Sequence, residues 1–181
     1  MDKQGVYRFL RERGIQYECV EHPAAYNMEE MSHIALPYPE VDAKNLFVRD
    51  EKKRDYYLIT VKGSKRVDLK AFRQRHGTRA LRFASAEELA DILGLLPGHV
   101  TPLGLLNDEE RRVKAYLDAA FLDPPGLVGV HPNENTATLF LRTGDLISIL
   151  RDHRTEVELT ELYAKTAAPP GGGLFRILCT F

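Results

Sequence analysis

A chain of 181 residues with 44% hydrophobic content is long enough to bury one core and sits near the usual one-domain size. Its net charge of −1 carries no global basic signature, so a nucleic-acid partner has to be held by a local patch. The two cysteines, Cys19 and Cys179, stand near opposite ends without C-x-x-C spacing, no apolar run reaches membrane-spanning length, and the start lacks a signal-peptide core; a soluble cytoplasmic protein with no membrane partner is expected.

Taken in order, Val6, Phe9 and Leu10 recur at helical spacing, so residues 3–13 read as a short amphipathic helix stopped by Gly14. A strand follows over 16–21 and breaks at His22-Pro23. Asn27 is then placed to cap a helix whose apolar side carries Met28, Met31, Ile34 and Ala35, ended by Pro37 and Pro39. Strands over 44–49 and 56–61 are joined by a charged loop, the pattern of a solvated hairpin end. Asp68 is placed to cap a helix through Arg75, with Leu69 and Phe72 inward and Gly77 closing it. A short strand over 81–83 precedes a capping box, Ser85 with Glu88, that opens a helix ended by Gly94.

After a loop from Pro97 to Pro102, strands are expected near 113–122, 127–131 and 136–141, separated by Pro-, Gly- and Asn-rich turns. A last helix, capped by Thr143, is expected over 144–153. Strands that outnumber helices and arrive in hairpins point to an α+β domain, a mainly antiparallel sheet flanked by helices. The domain is drawn over 1–162. Residues 163–181, which include the run Ala167-Ala168-Pro169-Pro170-Gly171-Gly172-Gly173, read as a flexible tail.

Several chemistries find no footing. The sequence has no G-x-G-x-x-G, no Walker loop, no H-E-x-x-H and no G-x-S-x-G elbow. The six histidines, His22, His33, His76, His99, His131 and His153, are scattered, so neither a metal site nor another cofactor is expected. Neither cysteine has a histidine neighbour in sequence, so any hydrolysis is expected to run without an obvious covalent intermediate. In period-2 geometry Lys44, Leu46 and Val48 share one face of their strand and Asn45, Phe47 and Arg49 the other. Lys44 thus opens an otherwise apolar row. Its stem packs on the core with the ammonium in water, or its charge is held at a pocket mouth.

From Lys62 to Arg82 the basic residues are Lys62, Lys65, Arg66, Lys70, Arg73, Arg75, Arg79 and Arg82, with Asp68 the only acid. That run is either a solvated face or a phosphate-contacting patch in which Lys70, Arg73, Arg75, His76 and Arg79 meet a folded RNA end.

The order and spacing of His22-Pro23 ahead of a helix, Lys44-Asn45-Leu46-Phe47, Tyr57-Leu58, Val67-Asp68-Leu69-Lys70, the G-x-x-x-P loop Gly98 to Pro102, His131-Pro132-Asn133 with Thr136, and Asp145-Leu146 resemble one family. It is the YbaK/prolyl-tRNA synthetase insertion-domain superfamily of aminoacyl-tRNA editing deacylases. The chain looks most like the freestanding Ala-tRNA(Pro) deacylases of the ProXp-ala or PrdX type, over roughly residues 3–155.

The resemblance implies an editing-domain fold, a mischarged tRNA(Pro) acceptor stem as substrate, prolyl-tRNA synthetase as a partner upstream and no cofactor. It lays the family's lysine on Lys44, at a pocket mouth, and its glycine-proline loop on Gly98, His99, Val100, Thr101 and Pro102, whose N–H groups would form an oxyanion hole. The lysine and the loop are expected to face each other across a small apolar cavity. The ribose hydroxyl of the tRNA terminus would assist the attacking water. Met31, Ile34, Ala35, Asn45 and Leu46, with His131 and Asn133, are the candidate substrate pocket. A Cys-tRNA(Pro) or other small aminoacyl-tRNA deacylase, or a non-catalytic tRNA-binding or regulatory module, would share the same features. A monomer is expected.

Overall fold

The computed structural model describes residues 1–24, 30, 33–63 and 65–161. Helix α1, Lys3–Glu12, is capped by the Asp2 carboxylate, which accepts from the Gly5 N–H, and buries Val6 and Leu10. Strand β1, Tyr17–Glu21, follows. The expected helix after His22 falls largely on residues outside those described, Asn27, Met28 and Met31 among them. Glu30 is helical, but Ile34 and Ala35 already lie beyond it, in a bend and irregular chain.

Strands β2, Ala43–Asp50, and β3, Tyr56–Lys62, pair antiparallel with Lys44 opposite Val61 and Asn45 opposite Thr60. Helix α2, Leu69–His76, is capped by Asp68 and closed by Gly77 in the left-handed conformation, φ 64°. Strand β4, Leu81–Phe83, leads to α3, Ala86–Leu93, whose Ser85–Glu88 capping box forms as expected. A 3₁₀ turn, Pro102–Asn107, precedes β5, Val113–Asp118; β6, Leu127–Val130; β7, Ala137–Arg142; α4, Thr143–Asp152; and β8, Val157–Thr160.

These strands form two sheets, β1-β7-β6 and β4-β2-β3-β5-β8. The first is antiparallel throughout. In the second, β3–β5 and β5–β8 run parallel, so the sheet is mixed, and helices flank both of its faces. Three local expectations are corrected. The strand begun at Val113 stops at Asp118, whose carboxylate accepts from the Ala120 N–H and starts a 3₁₀ turn. Thr143 is not the cap of α4; Arg142 holds that position, and the Thr143 hydroxyl donates to the Phe121 carbonyl. Strand β8 was not anticipated, because four residues with alternating polarity need the parallel partner β5 to become a strand.

Strand β3 is buried from Tyr56 to Val61, which makes it the centre of the five-stranded sheet. Tyr56 and Leu58 join the larger core with Ala43, Phe47 and the inner sides of α1, α3 and α4. Tyr57, Ile59 and Val61 join Val48, Phe72 and Tyr116 under α2 on the other face. This alternation decides where each residue of β2 points. The two sheets touch at a bridge from Asp42 to Gly129, where a Cβ on the glycine would lie 2.8 Å from Phe140 Cε1 and 3.3 Å from the Asp42 Cα.

Candidate functional site

Asn45 and Thr60 sit opposite each other on the large-core face. The Thr60 hydroxyl donates to Asn45 Oδ1 at 2.8 Å, which orients the amide so that Nδ2 donates to the Val100 carbonyl at 3.0 Å. Strand β2 thereby grips the middle of the Gly98–Pro102 turn. Gly98 has φ 85°, a conformation that side chains beyond glycine rarely tolerate. Thr101 is fully buried; its hydroxyl donates to the His131 carbonyl at 2.8 Å and accepts from the Leu103 N–H at 3.4 Å. Pro102 opens the 3₁₀ turn behind it, where its missing N–H costs nothing. The His99 N–H is committed to the Leu96 carbonyl, while those of Gly98, Val100 and Thr101 have no acceptor among the described residues. A turn held from both sides with uncommitted N–H groups is suited to a developing oxyanion.

Two histidines complete this face. His131 Nδ1 lies 3.1 Å from the Ala137 carbonyl, and a carbonyl only accepts, so Nδ1 carries the proton and Nε2 keeps a lone pair. Burial lowers the His131 pKa, the Ala137 carbonyl opposes that, and His22 and His99 push it further down. The ring is therefore neutral at physiological pH. His22 lies edge-on at 6.3 Å between ring centroids, its Nδ1 2.8 Å from the Pro23 carbonyl and its Nε2 3.0 Å from the Thr138 hydroxyl. By the same argument Nδ1 donates, while the Thr138 hydroxyl can pair with Nε2 in either direction. On its outer side His22 lines a cleft of about 470 Å³ with Glu30, His33, Ile34 and Ala35. The structure therefore brings Asn45, the turn, His99, His131 and His22 together, with Ile34 and Ala35 on the cleft wall. Met31 is outside the described residues.

Other expected members stand elsewhere. Lys44 lies on the opposite face of β2, where its ammonium donates to the Lys65 carbonyl, and burial followed by the nearby Arg66 charge lowers its pKa. The anticipated facing of Lys44 and the turn is not what the strand builds; one residue of alternation hands that contact to Asn45. Leu46 shares the Lys44 face and packs on the smaller core, away from the cleft. Asn133, φ 65°, turns its Nδ2 to the Met1 carbonyl at 2.8 Å and ties the N-terminal segment to the loop after β6.

The basic run divides likewise. Lys70 and Arg73 are exposed on α2. Arg75 Nη1 donates to the Glu161 carbonyl at 2.5 Å, and Arg79 Nη1 lies 3.3 Å from the fully buried Asp50 carboxylate. The His76 side chain is only 6% exposed, with Nδ1 3.1 Å from Glu158 and its ring 4.4 and 4.6 Å from Phe72 and Tyr116. It belongs to the small core and has no free edge for a base. The sequence assigns no site role to His22, Thr60 or Thr138, and expects Thr101 there only for its N–H group. Of these only His22-Pro23 leaves a signal, as a helix-preceding dipeptide; the threonines acquire their roles from partners on neighbouring strands and loops.

The clamped glycine-proline turn and the neutral His131 imidazole beside it are suited to a carbonyl group, and residues 22–149 match the aminoacyl-tRNA editing domain; the chain belongs to that family. It is similar to the prolyl-tRNA editing protein ProX of Acetoanaerobium sticklandii, 37% identical over 160 residues that cover 88% of this chain and 97% of the relative. Prolyl-tRNA synthetase associated domain-containing protein 1 of Danio rerio is 34% identical over 145 residues, 80% of this chain and 78% of that protein. A solved structure provisionally described as a trans-editing enzyme for prolyl tRNA synthetase superposes with a TM-score of 0.69 at 26% identity, covering 90% and 96% of the two chains.

Proposed function

We propose that this protein is a trans-acting hydrolase that deacylates Ala-tRNA(Pro). The observation that carries the proposal is the Asn45 clamp on Val100, which holds the Gly98–Pro102 turn, with its uncommitted N–H groups, beside His131, whose ring in turn meets His22 on the cleft wall. The family and the ProX relative support an aminoacyl ester of tRNA(Pro) as substrate. Prolyl-tRNA synthetase, which supplies such esters, rejects a smaller amino acid by only about 1–3 kcal/mol per missing methylene, so a second sieve has work to do.

In this reading the ester carbonyl oxygen lies against the turn N–H groups, and negative charge that builds up as water attacks is held there. Losing one such donor costs about 2.7–4 kcal/mol in comparable sites. The His131 Nε2 lone pair, left free by the Nδ1 bond to Ala137, serves as the acceptor for the water or the terminal ribose hydroxyl. Lys44 reaches the rim only once its ammonium leaves the Lys65 carbonyl on the opposite face of β2 and takes an acceptor on the substrate. Lys70 and Arg73 provide phosphate contacts for the acceptor stem.

Hydrolysis of Ala-, Cys- and Pro-tRNA(Pro) by the wild-type chain and by Lys44→Ala tests this. Alanyl ester is expected to turn over fastest and prolyl ester to survive, with most activity lost in a well-folded Lys44→Ala protein. Equal rates on all three esters would sink the sieve, and full turnover by Lys44→Ala would sink the rim role.

A further inference from the structure

We infer that the groove between α1 and β1 is a stacking platform for an unpaired RNA 3′ tail that leads into the His22 cleft; the inference rests on the deacylase reading above. The rings of Tyr7 on α1 and Tyr17 on β1 lie within 11° of parallel, with centroids 6.1 Å apart. They line a groove of about 730 Å³ together with Gln4, Arg11 and Gln16. Aromatic faces beside amide and guanidinium groups suit an unstacked base and its phosphate, because every base offers a π-face whatever its sequence. A paired stem presents no such face.

Charge and continuity agree. Helix α1 carries Lys3, Arg8 and Arg11 against one acid, Glu12. The Tyr7 hydroxyl, which belongs to the groove, donates to Glu21 Oε1 at 3.0 Å, and Glu21 lines the His22 cleft, so the two depressions share a wall. The Glu21 charge is offset by Lys3 Nζ at 2.6 Å. From Tyr17 to Glu21 the strand advances about 13 Å at roughly 3.3 Å per residue, the length of about four stacked nucleotides at a 3.4 Å rise per strand. Strand β1 is also the edge of its sheet, so among the described residues no strand pairs with its outer N–H and C=O groups along that path. A tail lying on the tyrosines would deliver its terminal ribose ester beside His22.

The test uses the full chain and an unacylated single-stranded RNA tetranucleotide, followed by tyrosine emission, since the chain has no tryptophan. Tyr17→Leu keeps an apolar side chain against the core and removes the ring; it is expected to weaken tail binding about five- to hundredfold, as loss of one base–aromatic stack does. Tyr17→Phe keeps the ring and is expected to bind as wild type. Arg11→Glu, at an exposed position, is expected to weaken binding and reduce its salt slope.

Wild-type affinity in a folded Tyr17→Leu, or an equal loss in Tyr17→Phe, overturns the platform. If Tyr17→Leu does not fold, Arg11→Glu decides, and unchanged affinity there overturns it. No aminoacyl ester enters the titration, so Tyr17-dependent binding by a chain that hydrolyses no ester refutes the deacylase and sustains the platform. Ala-tRNA(Pro) turnover with KM and tail binding unaltered in Tyr17→Leu does the reverse.

Discussion

Asn45→Ala removes both the donor that holds the Val100 carbonyl and the acceptor of the Thr60 hydroxyl. Two neutral hydrogen bonds at about 0.5–1.5 kcal/mol each amount to about 1–3 kcal/mol, and the Thr60 hydroxyl, 2% exposed as a residue, is left without a partner. If the clamp serves to fix the turn for the transition state, that energy appears in the barrier, and kcat/KM for Ala-tRNA(Pro) falls about five- to hundredfold at 1.36 kcal/mol per decade. Asn45→Asp separates the two bonds. Its carboxylate still accepts from Thr60 but sets an oxygen against the Val100 carbonyl, so its activity falls at least as far as that of Asn45→Ala. Single-turnover deacylation measures the chemical step, and thermal melting of each variant reports the share of energy spent on stability. Asn45→Ala with wild-type kcat/KM and a native melting profile would show that the turn is held without the clamp, and the proposed site would lose its central contact. A double-mutant cycle with Thr60→Val adds a second check: the pair is expected to couple, since each residue acts through the other.

The remaining predictions concern packing, protonation and charge. Gly129→Ala drives a methyl to within 2.8 Å of the buried Phe140 ring and 3.3 Å of the Asp42 backbone, and is expected to cost about 1–3 kcal/mol of stability by overpacking, read from denaturant midpoints; an unchanged midpoint would refute the close approach between sheets. Burial raises the Asp42 carboxyl from its ordinary 3.8 to about 6, against a lowering by the Ala43 N–H. The folded state thus holds that proton more tightly than the unfolded chain, and the stability it brings is present below the ordinary value and is lost as pH rises through about 6. Asp42→Asn never ionises, so its melting temperature is expected to exceed that of wild type at pH about 8 by more than at pH about 4; a gap of equal size at both would refute the assignment. Lys70→Ala with Arg73→Ala is expected to weaken tRNA binding and reduce its log–log salt slope by about 0.7–0.9 per lost phosphate contact. Arg79→Ala, which strips Asp50 of its cation, is expected to lower the melting temperature instead, and the opposite pattern would mean that α2 is only a solvated face.

What sequence alone determined is local. Asp68, Gly77, the Ser85–Glu88 box and Gly94 act within a few residues of themselves, so the limits of α2 and α3 could be read without knowing the fold. The β2–β3 hairpin is of the same kind, because antiparallel neighbours joined by a short loop need only alternation and a turn. The family motifs could also be read in order, and Asn45, His99 and the Gly98–Pro102 turn do lie together. Tertiary structure decided the rest. Strand β8 exists because β5 supplies a parallel partner; the four-residue alternation over Val157–Thr160 is too short to announce one by itself. The side of β2 that meets the turn was settled by which face received α2: those contacts turned Leu46 and Val48 toward the small core, and the two-residue period then carried Lys44 with them and left Asn45 for Val100. His76, Arg75 and Arg79 read in sequence as one cationic run, yet Glu158, Glu161 and Asp50, distant along the chain, claim them. Charge and periodicity are properties of a segment, but which charge stays free and which edge of a strand faces a ligand are set by neighbours that only folding brings near.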